Sequence, residues 1–275
     1  MTEITDLSRL CVHTITTKPW SIEKAAKTFS ASNIGGITIW RDAMNNKDPV
    51  VIKSMMDDLN LRVVSLCRGG FFPSVEKQVR MAAIDDNLRA IDLAHALGAP
   101  MMVMVCGADP RQSLSDSRQQ ITEGINACLT HAEAAGVKLT IEPLHPMYAG
   151  DRSAINTLAQ ANDMAESIKS RWVGIAVDVY HLWWDSELQK QIKRCGANGN
   201  LSAFHICDWK TPTIDMLNDR GLMGEGCINL KEIRGWVEEA GFDGFHEVEI
   251  FSNLYWQQDQ DNFLSRIKDA YLEHA

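Results

Sequence analysis

The chain has 275 residues, 45% hydrophobic and 23% charged, with 36 acidic against 27 basic side chains and a formal charge of −9. That balance argues against a nucleic-acid partner, which needs a basic footprint, and no apolar run reaches the roughly 18 residues of a membrane span. The opening MTEITDLSRL lacks a basic segment followed by an apolar stretch, so no signal peptide is expected; seven cysteines without CxxC spacing fit free thiols in a reducing, cytoplasmic setting.

Strand-like apolar runs alternate with helix-like stretches along the whole sequence. RLCVH (9–13) is followed by a helix over 21–32, GGITIW (35–40) by 49–60, LRVVSLC (61–67) by 75–97, and PMMVMVC (100–106) by 113–135. VKLTIEP (137–143) then precedes 153–170, VGIAVDV (173–179) precedes 185–196, LSAFHIC (201–207) precedes 229–240, and GFHEVEI (244–250) precedes 258–274. Ser21, Ser153 and Asn229 read as helix starts, and Gly98, Gly136, Gly196 and Gly241 as helix stops. Eight such units without a Pro/Ser-rich linker predict an α/β fold, one (β/α)8 TIM barrel domain over residues 1–275. The rival is an open doubly wound sheet; it usually carries a Gly-rich phosphate turn where this chain has His13-Thr14-Ile15-Thr16.

Polar residues interrupt the apolar runs near the strand C-termini, the catalytic end of such a barrel. The run ends carry His13, Trp40-Arg41, Arg68-Gly69-Gly70, Glu142 with His145, Asp178 with His181, His205 with Asp208, and Glu247 with Glu249. Buried carboxylates are expensive without a counter-charge, and a divalent cation supplies one. Glu142, Asp178, His205 and Glu249 are therefore the expected metal ligands; the oxygen-rich set suits Mn²⁺ or Mg²⁺, with Co²⁺ or Zn²⁺ also compatible. The plainer readings are that Asp178 caps a helix and that His205 is a satisfied core histidine.

Glu247 shares a face with Glu249 one layer deeper, where it would hold an Arg or Lys, while His246 points to the helices. His13, His181 and His145 are candidates for substrate contact, and Arg68, Arg152 and Arg220 for a carbonyl, carboxylate or phosphate oxygen. Trp40, Trp183, Trp184 and Trp209 could stack on a sugar face. Asp208 is expected to orient a histidine or cap a turn, and Glu225 to serve at most as a lid residue or as a support behind the ligands.

The stretches IEPLHP, GIAVDVYHLWW, FHICDW, GEGCINLKEIRGWVEEAGFDG and EVEIFS, between Thr140 and Ser252, resemble the sugar isomerase/epimerase family with a xylose-isomerase-like barrel. The resemblance implies the same four ligands, a substrate contact for His181, and acid and base roles for Glu142 and Glu249. Two positions depart from the family's epimerases: Tyr148 stands where they place a carboxylate, and no arginine follows His205 before Arg220. The expected chemistry is proton abstraction beside the carbonyl of a small sugar or keto-sugar through an enediolate. Glu249 or His145 would be the base, with Glu142 or His181 acting at the other face. Reprotonation would make an isomerase or epimerase; loss of a β-substituent would make a lyase or dehydratase of a 3-keto sugar, keto-glycoside or inosose. A homo-oligomer is compatible with the sequence.

Overall fold

Each strand run is too apolar to face water on either side, and the arrangement that covers both faces is a ring of parallel strands inside a ring of helices. That is what the computed structural model of the protein contains, over its described residues 3–275. Met1 and Thr2, the start of the segment read for a leader, lie outside them. The strands are β1 (Leu10–His13), β2 (Gly36–Trp40), β3 (Arg62–Gly70), β4 (Met101–Val105), β5 (Lys138–Glu142), β6 (Val173–Asp178), β7 (Leu201–Ile206) and β8 (His246–Val248). They close in the order β1-β8-β7-β6-β5-β4-β3-β2, every neighbour parallel. Outside them lie α1 (Ile22–Ala31), α2 (Pro49–Asp58), α3 (Lys77–Leu97), α4 (Leu114–Ala135), α5 (Leu158–Ile168), α6 (Leu188–Ala197), α7 (Leu230–Glu239) and α8 (Gln260–His274). Among the described residues no helix is long and apolar enough to cross a membrane.

Several helix ends follow from local chemistry. The Ser21 and Ser113 side chains accept from the Lys24 and Asp116 amides at the starts of α1 and α4. Left-handed Gly98 and Gly136 end α3 and α4. Two expectations are corrected. Helix α5 starts at Leu158 with Thr157 as its cap, because Ser153–Ile155 are engaged elsewhere: Ala154 N donates to Gly107 O at 2.9 Å and Leu144 N to Ile155 O at 2.9 Å. Gly196 lies inside the last turn of α6, where a Cβ would run into the carbonyl oxygen of Ala240; the left-handed turn falls at Gly199, φ 69°.

Strand β3 also runs three residues past its expected end, with a one-residue slip. Cys67 faces Val103 and Gly69 faces Met104, so Arg68 is an extra, unpaired residue that the bulge turns out of register. Asn87 of α3 holds the strand end, accepting from Gly70 N at 2.7 Å and donating to Gly70 O at 2.8 Å.

The barrel floor is polar, and its composition corrects the expectation for Glu247. Instead of Arg or Lys, its Oε2 accepts from Thr38 Oγ1 at 2.6 Å, His13 Nε2 at 3.2 Å and Ser65 Oγ at 3.3 Å. His246, one residue earlier, points to the helix layer as expected, with Nδ1 3.0 Å from the Tyr271 hydroxyl of α8. Burial, reinforced by Arg9 and Arg234, pushes its pKa down to about 3. Above pH 6.5 both folded and unfolded chains hold this imidazole neutral. Below that value only the unfolded chain takes the proton, so stability falls as pH drops toward 3, by up to about 1.4 kcal/mol per pH unit. Urea unfolding should show the wild type losing about 2–3 kcal/mol more than His246→Gln between pH 7 and 4.5; equal losses would remove His246 as the cause.

Candidate metal and substrate site

Glu142 ends β5, Asp178 ends β6, His205 lies in β7, and Glu249 follows β8 by one residue. These strands are consecutive in the ring, with His205 paired to Asp178 on one side and Glu247 on the other. Period-two alternation then brings Glu249 to the same interior wall one layer above Glu247. One ligand atom from each of Glu142, Asp178, His205 and Glu249 lies within 4.8 Å of all the others, and all four residues are buried. Two oxygens across an ion at bonds of about 2.1 Å are about 4.2 Å apart, so the cage has the dimensions of a cation site.

Its electrostatics point the same way. Arg220 Nη1 lies 2.7 Å from Glu249 Oε2 and 3.4 Å from Asp178 Oδ2. One guanidinium cannot balance the three carboxylates; with His205 neutral, as a ligand must be, two negative charges remain for a divalent ion to neutralise. Burial alone would raise the pKa of Glu249, but Arg220 and His13 outweigh it and hold the group well below the carboxylate range. Asp178, further from Arg220, is pushed up by burial, with Glu249 and Glu142 adding to the rise. Burial would lower His205, yet Glu247, Glu142 and Glu249 hold it up at about 10. His205 Nδ1 and Glu142 Oε1 approach to 2.9 Å, but each lacks a hydrogen-bond partner with acceptable geometry. Two buried polar atoms left without partners inside this four-residue cluster are available as ligands of one centre. The donor set fits a divalent cation.

Above the cage is a cavity of about 210 Å³ whose wall includes Glu142, Glu249, His181, Arg220, Arg68 and Arg152. His181 sits in a single helical turn, Val179–Leu182, whose N-cap is Asp178: Oδ1 accepts from Tyr180 N at 2.7 Å. The capping role weighed for Asp178 and its place in the cage therefore coexist, one oxygen for each. His181 Nε2 is 3.3 Å from Arg220 Nη2, which can only donate. Burial, then Arg220, depresses the His181 pKa well below its usual value. The neutral ring thus carries its proton on Nδ1, which is buried without a partner. That N–H is an unpaired donor on a residue of the cavity wall.

Other candidates fall elsewhere. His13, expected at the substrate, is fully buried: Nε2 donates to Glu247, and Nδ1 lies 3.1 Å from Glu249 Oε1 and 3.2 Å from Trp40 Nε1, so that a proton on Nδ1 serves Glu249. Ring closure puts β1 beside β8, so His13 supports the two glutamates from below. His145 packs against Trp184 and Trp209, ring centroids 5.7 and 5.1 Å away, and caps a turn through Met147 N; it does not line the cavity. Trp209 stacks on Tyr180 and Trp183 tilts against Trp209, while Trp40 is on the cavity wall. Glu225 binds Leu222 N, Tyr255 Oη and Arg266, the bonds of an anchored loop rather than of a lid.

Tyr148, Leu144, Leu217 and Phe251 also line the cavity. Phe251 lies under the Arg220 guanidinium at 4.9 Å and was findable, being two residues beyond Glu249 on the same face. Leu217 comes from a loop with no such signal. Arg220 belongs to a two-stranded antiparallel ribbon, Asp208–Trp209 with Arg220–Gly221. Asp208 ties this segment: its carboxylate accepts from the amides of Trp209, Gly224, Gly226 and Ile228 at 2.8–3.0 Å. It caps turns and orients no histidine.

A family model described as xylose isomerase-like TIM barrel matches residues 30–267. A curated inosose isomerase of Halalkalibacterium halodurans is 23% identical over 66% of this chain, which spans 64% of that relative's length. An inosose dehydratase of Klebsiella pneumoniae subsp. pneumoniae is 23% identical over 82% of this chain and 80% of its own. Among solved structures, protein SMc04130 of Sinorhizobium meliloti 1021 matches with a TM-score of 0.93 and 42% identity over 97% of this chain and 98% of its own. The IOLI protein, described with a bound zinc atom, matches with a TM-score of 0.83 and 19% identity over 96% and 97%, a likeness of fold.

Metal-free protein titrated with Mn²⁺ should bind one ion, and at 100 times its dissociation constant the ion should add about 2.7 kcal/mol of stability. Asp178→Asn and Glu142→Gln should each weaken binding at least about tenfold; unchanged affinity in both would dismiss the cage. Asp208→Ala should speed amide exchange at residues 209, 224, 226 and 228 and lower stability by about 2–3 kcal/mol.

Proposed function

Because the chain belongs to the xylose isomerase-like TIM barrel family, we propose that it is a divalent-metal-dependent isomerase or epimerase of a polyhydroxy ketone, acting by proton transfer beside the carbonyl. The observation that carries this reading is the convergence of three carboxylates and one histidine, incompletely neutralised by Arg220, under a cavity that two of those carboxylates also line. A divalent ion there, Mn²⁺ or Mg²⁺ by its oxygen-rich donors, supplies Lewis acidity that makes the proton beside a carbonyl easier to remove.

The remaining roles belong to side chains. Glu142 and Glu249 come from strands three places apart in the ring, so they reach a bound ketone from two sides. Glu249 is the ionised carboxylate that Arg220 holds in one orientation, so it is the proton acceptor by placement, although the same arginine weakens it as a base. Glu142 delivers a second proton at the other face, while the one taken by Glu249 passes to solvent, from which Glu142 is reloaded. The Nδ1–H of His181 donates to a substrate hydroxyl or carbonyl oxygen, and Trp40 and Phe251 exclude water from one side of the cavity. A dehydratase is the second reading, favoured by the Klebsiella relative; the same abstraction is followed by loss of a β-hydroxyl.

In deuterated water, Mn²⁺-loaded protein incubated with inososes and ketohexoses should exchange a carbon-bound hydrogen beside the carbonyl and yield an isomer. Exchange should disappear with chelator and return with Mn²⁺. Glu142→Gln and Glu249→Gln should each slow it about 10²–10⁴-fold. Release of water with an unsaturated product would replace the isomerase by the dehydratase, and full activity in chelator would overturn both.

A further inference from the structure

Three arginines line the cavity, and they are not equivalent. Arg220 is committed to Glu249 and Asp178. Among the described residues the Arg68 guanidinium makes no hydrogen bond or ion pair, and its Nη1 is buried without a partner. The neighbouring Arg41 shows what the same fold does with an arginine it neutralises: Asp86 receives it through two bonds of 2.7 and 2.8 Å. Arg68 instead lies over the rings of Phe71, 4.4 Å away, and Trp40, 5.9 Å away, contacts that fix its plane without satisfying its N–H groups.

Arg152, partly exposed, is the second cation of the wall without a close carboxylate. Its nearest carboxylate is that of the adjacent, exposed Asp151 at a loose 3.9 Å, and it stands over Tyr148 at 5.5 Å. Its backbone is fixed, because its carbonyl accepts from Gly107 N at 2.8 Å. Arg68 and Arg152 are close enough to repel: burial first, and Arg152 next, lower the Arg68 pKa. A half-buried guanidinium with one buried N–H group left unmet and a like-charged neighbour is an unfavourable arrangement that an incoming anion relieves.

The fold also aims Arg68. It is the extra residue of the β3 bulge, beside the strand end that Asn87 holds. It borders both the cavity above the cage and a groove of about 480 Å³, and Trp40 lines both as well. The groove's acids are Asp86, already paired with Arg41, and Asp42 on its exposed rim.

We propose that the substrate is an anionic polyhydroxy ketone, a sugar acid or a sugar phosphate, whose charged group is held by Arg68 and Arg152 while its ketone end sits at the four-residue cage. This rests on the isomerase reading and narrows its substrate class. Guanidinium forks bind carboxylate and phosphate in the same planar, two-bond geometry, so both share the recognition chemistry.

The test uses three ligands that differ at one carbon: D-fructose, D-fructuronate and D-fructose 6-phosphate, titrated calorimetrically into Mn²⁺-loaded protein. At least one anion should bind at least about tenfold tighter than D-fructose, the equivalent of about 1.4 kcal/mol. The tighter anion identifies carboxylate or phosphate as the group recognised. Arg68→Gln should remove most of that difference, and Arg152→Gln carries the same expectation should Arg68→Gln fail to fold. Arg89→Gln, a lost charge on the exposed face of α3, should leave the difference intact. The proposal is overturned if neither anion exceeds D-fructose, or if the preference survives both cavity substitutions. The parent reading is judged separately by carbon-bound hydrogen exchange, so anion binding without exchange would sink that reading and spare this one.

Discussion

Three carboxylates and a single guanidinium share a space from which the barrel wall excludes water, and much of the upper half of the molecule is organised around that imbalance. In a low-dielectric interior each uncompensated charge is worth several kcal/mol, so such a cluster persists only where rigid elements hold it. Four adjacent strands provide that rigidity, and the polar floor reinforces it. Glu247 gathers Thr38, Ser65 and His13 from three other strands, and His13 in turn reaches Glu249. The acids of the site are thereby buttressed from beneath by hydrogen bonds rather than by apolar packing alone.

The same imbalance orders the protonation states. Arg220 serves Glu249 before Asp178 by virtue of distance, which leaves Glu249 charged and Asp178 readily protonated when no cation is present. His205, held protonated by the surrounding acids, would have to give up its proton to serve as a ligand. Loading the cage therefore releases protons, and affinity for an ion rises with pH.

Much of this was legible in the sequence, for a definite reason. Glu142, Asp178, His205 and Glu249 each interrupt an apolar run near its C-terminal end, and in a parallel barrel those ends meet. Eight alternating units were enough to imply the ring. What could not be read were the consequences of closure and of irregular backbone. His13 ends β1 just as the ligands end their strands, yet closure sets it beside β8 and beneath the site. Arg68 belongs to β3 only because a bulge carries the strand past Cys67. Ser153 has the chemistry of a helix cap, but the chain uses it to join the loop after β4, at Gly107, to the one after β5. His145 looks like a catalytic group by spacing and is instead packed among indoles.

The arginine that matters most to the cage is carried by a short ribbon outside the barrel, and that ribbon is tied by one aspartate to four amides spread over twenty residues. Because the knot and the strand-eight backbone both locate Arg220, with its amide bound to Phe251 O at 2.9 Å, its position does not depend on the length of the stretch between them. The exposed tip at residues 211–213 is where length can change while the guanidinium stays over the acids, because Ile214 and Met216 are bonded to Asp219, Tyr148 and Tyr180 and Leu217 lines the cavity. Related chains should therefore keep the charge and lose the spacing, which makes this arginine a feature that alignments of motifs overlook and superposed folds recover.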